Sequence, residues 1–503
     1  MKLGSKLLVV LCLISYALSA QVNEKAKKYG EQVSEAALRD NLSILASDAM
    51  EGRETGKRGQ KMAAAFIANY FDELGLKAPV NGSYYQPVNL YSVKSGEVYV
   101  KAGDSQYKNL DDLLYFGSGN TNGEVTQSVV FAGNGSETDF EQVDVKDKAV
   151  VLFVEGMRVT NSKAITMARE KGASSLLVCN TKTQEDFDNF KSNARGFASG
   201  GRLSVKKPDM SSPDAPLFII SPAMTEKITG QSFEKLTALA DAGITAKAMK
   251  KIKPTTVQIK TTAEVQTVKT ENVLGYLEGT DKKDEVIVVT AHYDHIGVRA
   301  SGEGDLINNG ADDDGSGTVA VMELARLFTK AKQEDNGPKR SILFMTVTGE
   351  EKGLLGSAYY TENPIYPLAN TVVNLNMDMI GRRDKEHADN NSFVYVVGSD
   401  KLSTDLHTLC ESINSTYTKL DLDYTYNDEN HPSNIYRRSD HWNFAKNNIP
   451  IIFYFDGIHD DYHRPSDEIE KIEFDHMAKR TKLVFYTAWE IANRDQRITS
   501  DKK

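Results

Sequence analysis

The sequence predicts an α/β protein with a mostly parallel, mixed central sheet, interrupted by a separately folded insertion. Three observations carry that expectation. After residue 263 come five continuous apolar runs, EVIVVTAH, SILFMTVTG, VVNLNMDM, FVYVVG and IPIIFYF, which suit strands covered on both faces. Stretches with apolar residues at helical spacing lie among them, such as GTVAVMELARLFTKA and the final FDHMAKRTKLVFYTAWEIANRD. Residues 115–260 differ in texture: short β-type runs alternate with helix-like segments and polar loops, and no histidine occurs there.

Taken in order, residues 1–20 read as an export signal, with Lys2 and Lys6 ahead of LLVVLCLISYAL and small residues at Ser19 and Ala20. The protein is therefore expected outside the cytoplasm, in a periplasm or fully extracellular. Residues 21–114 form the N-terminal part of the main domain. Within them, 31–76 reads as helices, GKRGQKMAAAFIANYFDELGL ending at Gly75, with EGRETGKRGQ as a polar loop. Residues 115–260 form the inserted, non-catalytic domain. Residues 261–495 carry the repeated strand and helix pattern, and 496–503 read as a disordered tail. No stretch after the signal is long and apolar enough for a transmembrane helix.

A chain of 503 residues implies two or three domains. Its 70 acidic against 60 basic residues give a net charge of -10, which argues against nucleic acid as a partner. Only Cys179 and Cys410 follow the signal, so no disulfide framework exists and both read as buried small hydrophobes.

Acids and histidines cluster just past the predicted strands: AHYDHIG, GADDDGSG, TGEEKGLLGS, NMDMIG and YHRPSD. Each alone has a bland reading as a surface histidine, a helix-start acid or a solvated Glu pair. The acid in VVNLNMDM is different, because a carboxylate buried alone is costly and must be paired or bound. Sites in open α/β sheets form at the carboxyl ends of strands. Two histidines and three carboxylates gathered there make a ligand set for two divalent ions, and imidazole with carboxylate and no thiolate suits zinc.

These motifs in this order resemble the co-catalytic zinc aminopeptidase family, whose relatives include secreted leucyl aminopeptidases, glutamate carboxypeptidases and glutaminyl cyclases. The likeness covers residues 263–490 closely, and EGRETGKRG resembles the family's N-terminal segment. The resemblance implies a three-layer α/β/α zinc-peptidase domain holding two zinc ions. It implies ligand roles for His292, Asp313, Glu351, Asp378 and His463. Asp313 would bridge, Glu351 and His463 would share one ion, and His292 and Asp378 the other. It further implies Asp294 as the acid orienting His292, Glu350 as general base, Tyr436 as oxyanion support, and a cis peptide between Asp313 and Asp314. The insertion resembles a protease-associated (PA) domain, through VVFAGNG, DVKDKAVVLFVEG and AREKGASSLLVCN.

The implied activity is removal of N-terminal residues from peptides with a free terminus. A carboxypeptidase or dipeptidase on the same site is the nearest alternative; Arg382, Arg383, Arg437 and Arg438 lie near the motifs and could contribute to carboxylate recognition, but they read first as exposed surface arginines. Glutaminyl cyclisation and a non-catalytic receptor-like ectodomain are weakened by the complete ligand set and the presence of Glu350. His295, His431, His441 and His459 are expected to have local structural roles. Substrate side-chain preference, the role of the insertion and the oligomeric state are open at this level.

Overall fold

A computed structural model describes residues 22–502 apart from 118, 157–158, 200–201, 211–214, 391 and 429. The expected export signal lies outside the described residues. Two compact units are present: residues up to Val88 with Lys269–Lys503, and Asn89–Val268.

In the first unit the sheet runs in the order Asp421–Asp423, Phe393–Val397, Ile451–Phe455, Thr371–Met377, Lys282–His292, Arg340–Val347, and the later part of Thr255–Leu277. The four strands from Ile451–Phe455 to Arg340–Val347 are mutually parallel, and antiparallel pairings flank them. The sheet is therefore mixed and mostly parallel. Every residue of Thr371–Met377, Arg340–Val347 and Ile451–Phe455 is buried, the pattern of strands covered on both faces. Alternation along the strand splits the core. Ile287, Val289 and Ala291 join the cluster containing the helices Gly317–Gln333 and Phe474–Asn493. Val286 and Val288 join the opposite cluster, with Tyr360 and Phe444 from Leu355–Glu362 and His441–Ala445. This is a three-layer α/β/α arrangement.

The second unit has four parallel strands, Val125–Phe131, Ala149–Phe153, Ser175–Cys179 and Leu217–Ile219, and its own hydrophobic core. Its limits are wider than the expected 115–260. They fall inside the long strands Tyr85–Ala102 and Thr255–Leu277, so no glycine- or proline-rich linker marks either boundary.

The expected disordered tail needs correction. Ile498 is buried in the first unit's core, Arg497 donates to the carbonyls of Ala369 and Thr371, and Asp501 accepts from the Thr404 N–H. One apolar anchor and three polar contacts suffice to pin a chain end that looks merely polar in sequence. Cys179 and Cys410 are both free and buried. No helix among the described residues is long and apolar enough to cross a membrane.

Candidate metal centre and active site

Four parallel, adjacent strands deliver their carboxyl ends to one edge of the sheet, and the five sequence motifs converge there. His292 ends Lys282–His292. Glu350 and Glu351 follow Arg340–Val347, Asp378 follows Thr371–Met377, and His463 lies in the loop after Ile451–Phe455. Asp313 comes from the buried turn Ala311–Ser316 ahead of Gly317–Gln333. Met379 and His463 adopt left-handed backbone conformations, uncommon for residues with a Cβ, so the loops are bent where they present these side chains. Gly310 and Gly317, on either side of the acid triplet, are required. A Cβ at Gly310 would stand 2.3 Å from the Asp313 carbonyl, and one at Gly317 2.4 Å from the Asp314 carboxylate.

The triplet divides its labour. Asp312 accepts from the Gly381 N–H at 2.7 Å and faces His459 at 3.2 Å. Asp314 accepts from the N–H groups of His292, Gly317 and Met379 at 3.0, 2.9 and 3.2 Å. Both brace backbone. Asp313 alone turns its carboxylate toward the motif histidines His292 and His463, with Oδ1 3.2 Å from His292 Nε2 and Oδ2 3.1 Å from His463 Nε2. The Asp313–Asp314 peptide is cis, as the resemblance implies.

Two groups of potential ligands share Asp313. In the first, His292 Nε2 lies 3.5 Å from Asp378 Oδ1. In the second, Glu351 Oε2 lies 3.1 Å from His463 Nε2, and Glu351 Oε1 lies 2.8 Å from His295 Nδ1. His295, for which the sequence leads one to expect a local structural role, stands instead in this second group with Asp313 and Glu351. It is fully buried three residues after His292, and its spacing within AHYDHIG was the available signal. Both His295 ring nitrogens, Asp313 Oδ2 and Glu351 Oε1 are buried with no hydrogen-bond partner. Lone pairs that approach one another this closely without aligning as hydrogen bonds suit a cation between them. Imidazole and carboxylate donors without thiolate fit zinc.

The electrostatics follow from burial and proximity. Burial opposes ionisation of Asp313, yet the imidazoles of His292 and His463 hold it well below the usual carboxylate range. Glu351 is likewise held down at about 2, against burial and the Asp313 charge, by His295 and His463. Glu350 goes the other way: burial pushes its carboxyl well above the ordinary value, only partly offset by His292. Two neighbouring carboxyls in one site thus have opposed proton affinities, the arrangement that separates a ligand from a proton carrier.

Surrounding residues fix these groups. Thr290 donates to Asn376 at 2.6 Å, Asn376 to Ser439 at 2.9 Å, and Ser439 to Asp378 Oδ2 at 2.6 Å, which leaves Asp378 Oδ1 toward His292. Asp467, the last residue of YHRPSD, accepts the N–H groups of Asp312 and Asp313 at 3.1 Å. Buried Arg53, in EGRETG, donates to the carbonyls of Leu45, Tyr293, Asn309 and Gly310 at 2.6–2.9 Å and so clamps the loops bearing His292 and Asp313.

Two expected roles need correction. It is the main-chain carbonyl of Asp294, not its carboxylate, that meets His292 Nδ1, at 3.0 Å. The carboxylate turns away and accepts from Thr55 Oγ1 at 2.7 Å and from the Glu350 N–H at 3.2 Å, so it braces Glu350 instead. Tyr436 does not line the cavity at the site. Its ring packs against Gly398, His441 and Trp442, in a space that exists because Gly398 lacks a Cβ. The tyrosine lining the cavity is Tyr462, stacked on His463 with ring centroids 3.8 Å apart. The cavity has an acidic wall of Asp313, Glu350 and Asp378 and an apolar wall of Met379, Ile435, Phe453, Phe455 and Ile458. Of the other histidines, His441 is neutral and structural: burial pushes it down to about 3, and it contacts the Tyr436 carbonyl at 2.8 Å.

Residues 272–488 match the model of peptidase family M28. A "probable zinc metalloprotease" of Pyricularia oryzae is 39% identical over 119 residues, 23% of this chain and 22% of that protein. A "probable leucine aminopeptidase" of Trichophyton verrucosum is 30% identical over 217 residues, 42% of this chain and 55% of that protein. The chain thus spans between about a fifth and about half the length of these relatives. Among solved structures, an aminopeptidase from Aneurinibacillus sp. strain AM-1 superposes with a TM-score of 0.54 at 18% identity, over 95% of this chain and 98% of that one. At that identity the likeness bears on the fold.

Proposed function

We propose that this protein, whose residues 272–488 match the model of peptidase family M28, is an exported aminopeptidase holding two zinc ions across Asp313 and releasing N-terminal residues from peptides. The observation that carries the reading is the pair of Asp313 oxygens, each about 3 Å from a different histidine. His292 and Asp378 complete one position, and Glu351 and His463 the other, with His295 beside Glu351. Three carboxylates against two divalent ions leave one net positive charge, which ionised Glu350 balances. Zinc, when bound, supplies Lewis acidity that activates water at neutral pH.

Glu350 is the general base. It is held by the Asp294 carboxylate through its own N–H, stands 3.9 Å from His292 without sharing a proton with it, and has raised proton affinity. It takes the proton of the attacking water and returns it to the departing amine. The Tyr462 hydroxyl side of the cavity supports the oxyanion that forms. The apolar wall favours a large aliphatic or aromatic first side chain, and an ion held by His292 and Asp378 or by Glu351 and His463 would favour the lone pair of a free α-amine as a further ligand. The unit Asn89–Val268 is read as a protease-associated domain.

The test compares a leucyl anilide with its N-acetylated form. Zinc-dependent hydrolysis of the free amine alone is expected, and equal hydrolysis of the blocked form refutes aminopeptidase action. Glu350→Ala is expected to keep its zinc and lose turnover by about 10²–10⁴-fold. Near-normal turnover in that variant refutes the base assignment.

A further inference from the structure

Of the arginines near the site motifs, Arg382, Arg383 and Arg437 are engaged. Arg382 pairs with Asp461 at 3.1 Å, Arg383 with Glu473 at 2.6 Å, and Arg437 lies over the Trp442 ring at 5.1 Å. Arg438 is different. It lines the same cavity as Asp313, Glu350 and Asp378, where it is the single cation, and it has no ion-pair partner among the described residues. Its one hydrogen bond is donated to the Tyr462 hydroxyl at 3.3 Å, and Tyr462 in turn stacks on His463. That contact tethers an exposed guanidinium one ring's width from the metal-binding set while leaving most of its five donors free.

We propose that Arg438 binds the C-terminal carboxylate of short substrates, so that the protein prefers di- and tripeptides with a free C-terminus. This rests on the aminopeptidase reading above. The planar guanidinium fork matches a carboxylate. Consecutive Cα atoms stand about 3.8 Å apart, so a carboxylate one or two residues past the cleaved bond falls near the rim where Arg438 sits, and that of a longer peptide passes beyond it. The metal-binding end of the cavity then takes the amine end and Arg438 the acid end, which measures substrate length as well as polarity. No bond changes at Arg438; it is a specificity-determining residue.

The experiment measures kcat and KM of the zinc-loaded full chain on leucyl-alanine and leucyl-alaninamide, for wild type, Arg438→Gln and Arg438→Lys. In wild type, amidation is expected to raise KM about tenfold with kcat little changed. In Arg438→Gln the KM of the free acid rises to that of the amide, and Arg438→Lys recovers part of the difference. Equal KM for acid and amide in wild type overturns the assignment, and so does an unchanged acid-to-amide ratio in Arg438→Gln. Failure of wild type to hydrolyse either dipeptide overturns the aminopeptidase reading itself, whereas hydrolysis of both with equal KM overturns the Arg438 assignment alone.

Discussion

Replacing Arg53 by Met would strip the loops around the site of their shared clamp. The side chain is 1% exposed and donates to four main-chain carbonyls, those of Leu45, Tyr293, Asn309 and Gly310. It also faces the buried acids Asp313, Asp467, Asp314 and Asp294, whose charges offset the burial that lowers its proton affinity. A buried carbonyl left without its donor costs about 1–3 kcal/mol, and four of them give roughly 4–12 kcal/mol. Relief of the buried charge offsets much of this, and removing one partner from a buried ionic network typically costs about 3–5 kcal/mol net. Arg53→Met is therefore expected to destabilise the first unit by about 4 kcal/mol, with Arg53→Lys intermediate. Both tryptophans of the chain, Trp442 and Trp489, lie in that unit. Urea unfolding followed by tryptophan fluorescence at fixed zinc therefore reports it separately from the insertion, which matters because a two-unit chain need not unfold in one step. A loss below about 1 kcal/mol refutes the clamp.

Two further outcomes are expected. Tyr462→Phe should lower kcat about tenfold or more while Tyr436→Phe changes it less than about twofold; the reverse order in steady-state kinetics contradicts the cavity lining. Metal-free protein should lose thermal stability as pH rises from 7 to 9. Burial pushes Asp440 up to about 7 and Asp467 to about 6, so their stabilising contribution is complete below the unfolded carboxyl range and lost as pH rises through those values. Against burial, Asp312 holds His459 up at about 9, a contribution complete below about 6.5 and lost as pH approaches 9. His441, pushed down to about 3, acts the other way only below about 6.5, so a melting temperature that is flat or rises between pH 7 and 9 contradicts the His459 shift.

The central sheet was legible because strands buried on both faces leave unbroken apolar runs. Parallel neighbours then bring their carboxyl ends together, so motifs far apart in sequence met in space. Asp378 could be singled out because a lone acid in such a run needs a partner, and it has two, His292 and Ser439. What sequence did not show was which atom of a residue does the work. Asp294 meets His292 through its carbonyl because its carboxylate is claimed by Thr55 and the Glu350 N–H. Tyr436 turns away because Gly398 opens a space for its ring. Such choices are settled by packing at contact distance, which residue spacing does not encode. The insertion's limits were hidden for a related reason: Tyr85–Ala102 and Thr255–Leu277 continue as strands through both boundaries, without the turn residues that usually mark one.

Zinc content of the purified chain, measured by mass spectrometry for wild type and Asp313→Asn, tests the shared carboxylate most directly. Two zinc ions per wild-type chain and the loss of both from the variant are expected, because each histidine reaches a different oxygen of that one side chain. A variant that still holds two ions tightly, or a wild-type chain that saturates with one, contradicts the binuclear centre.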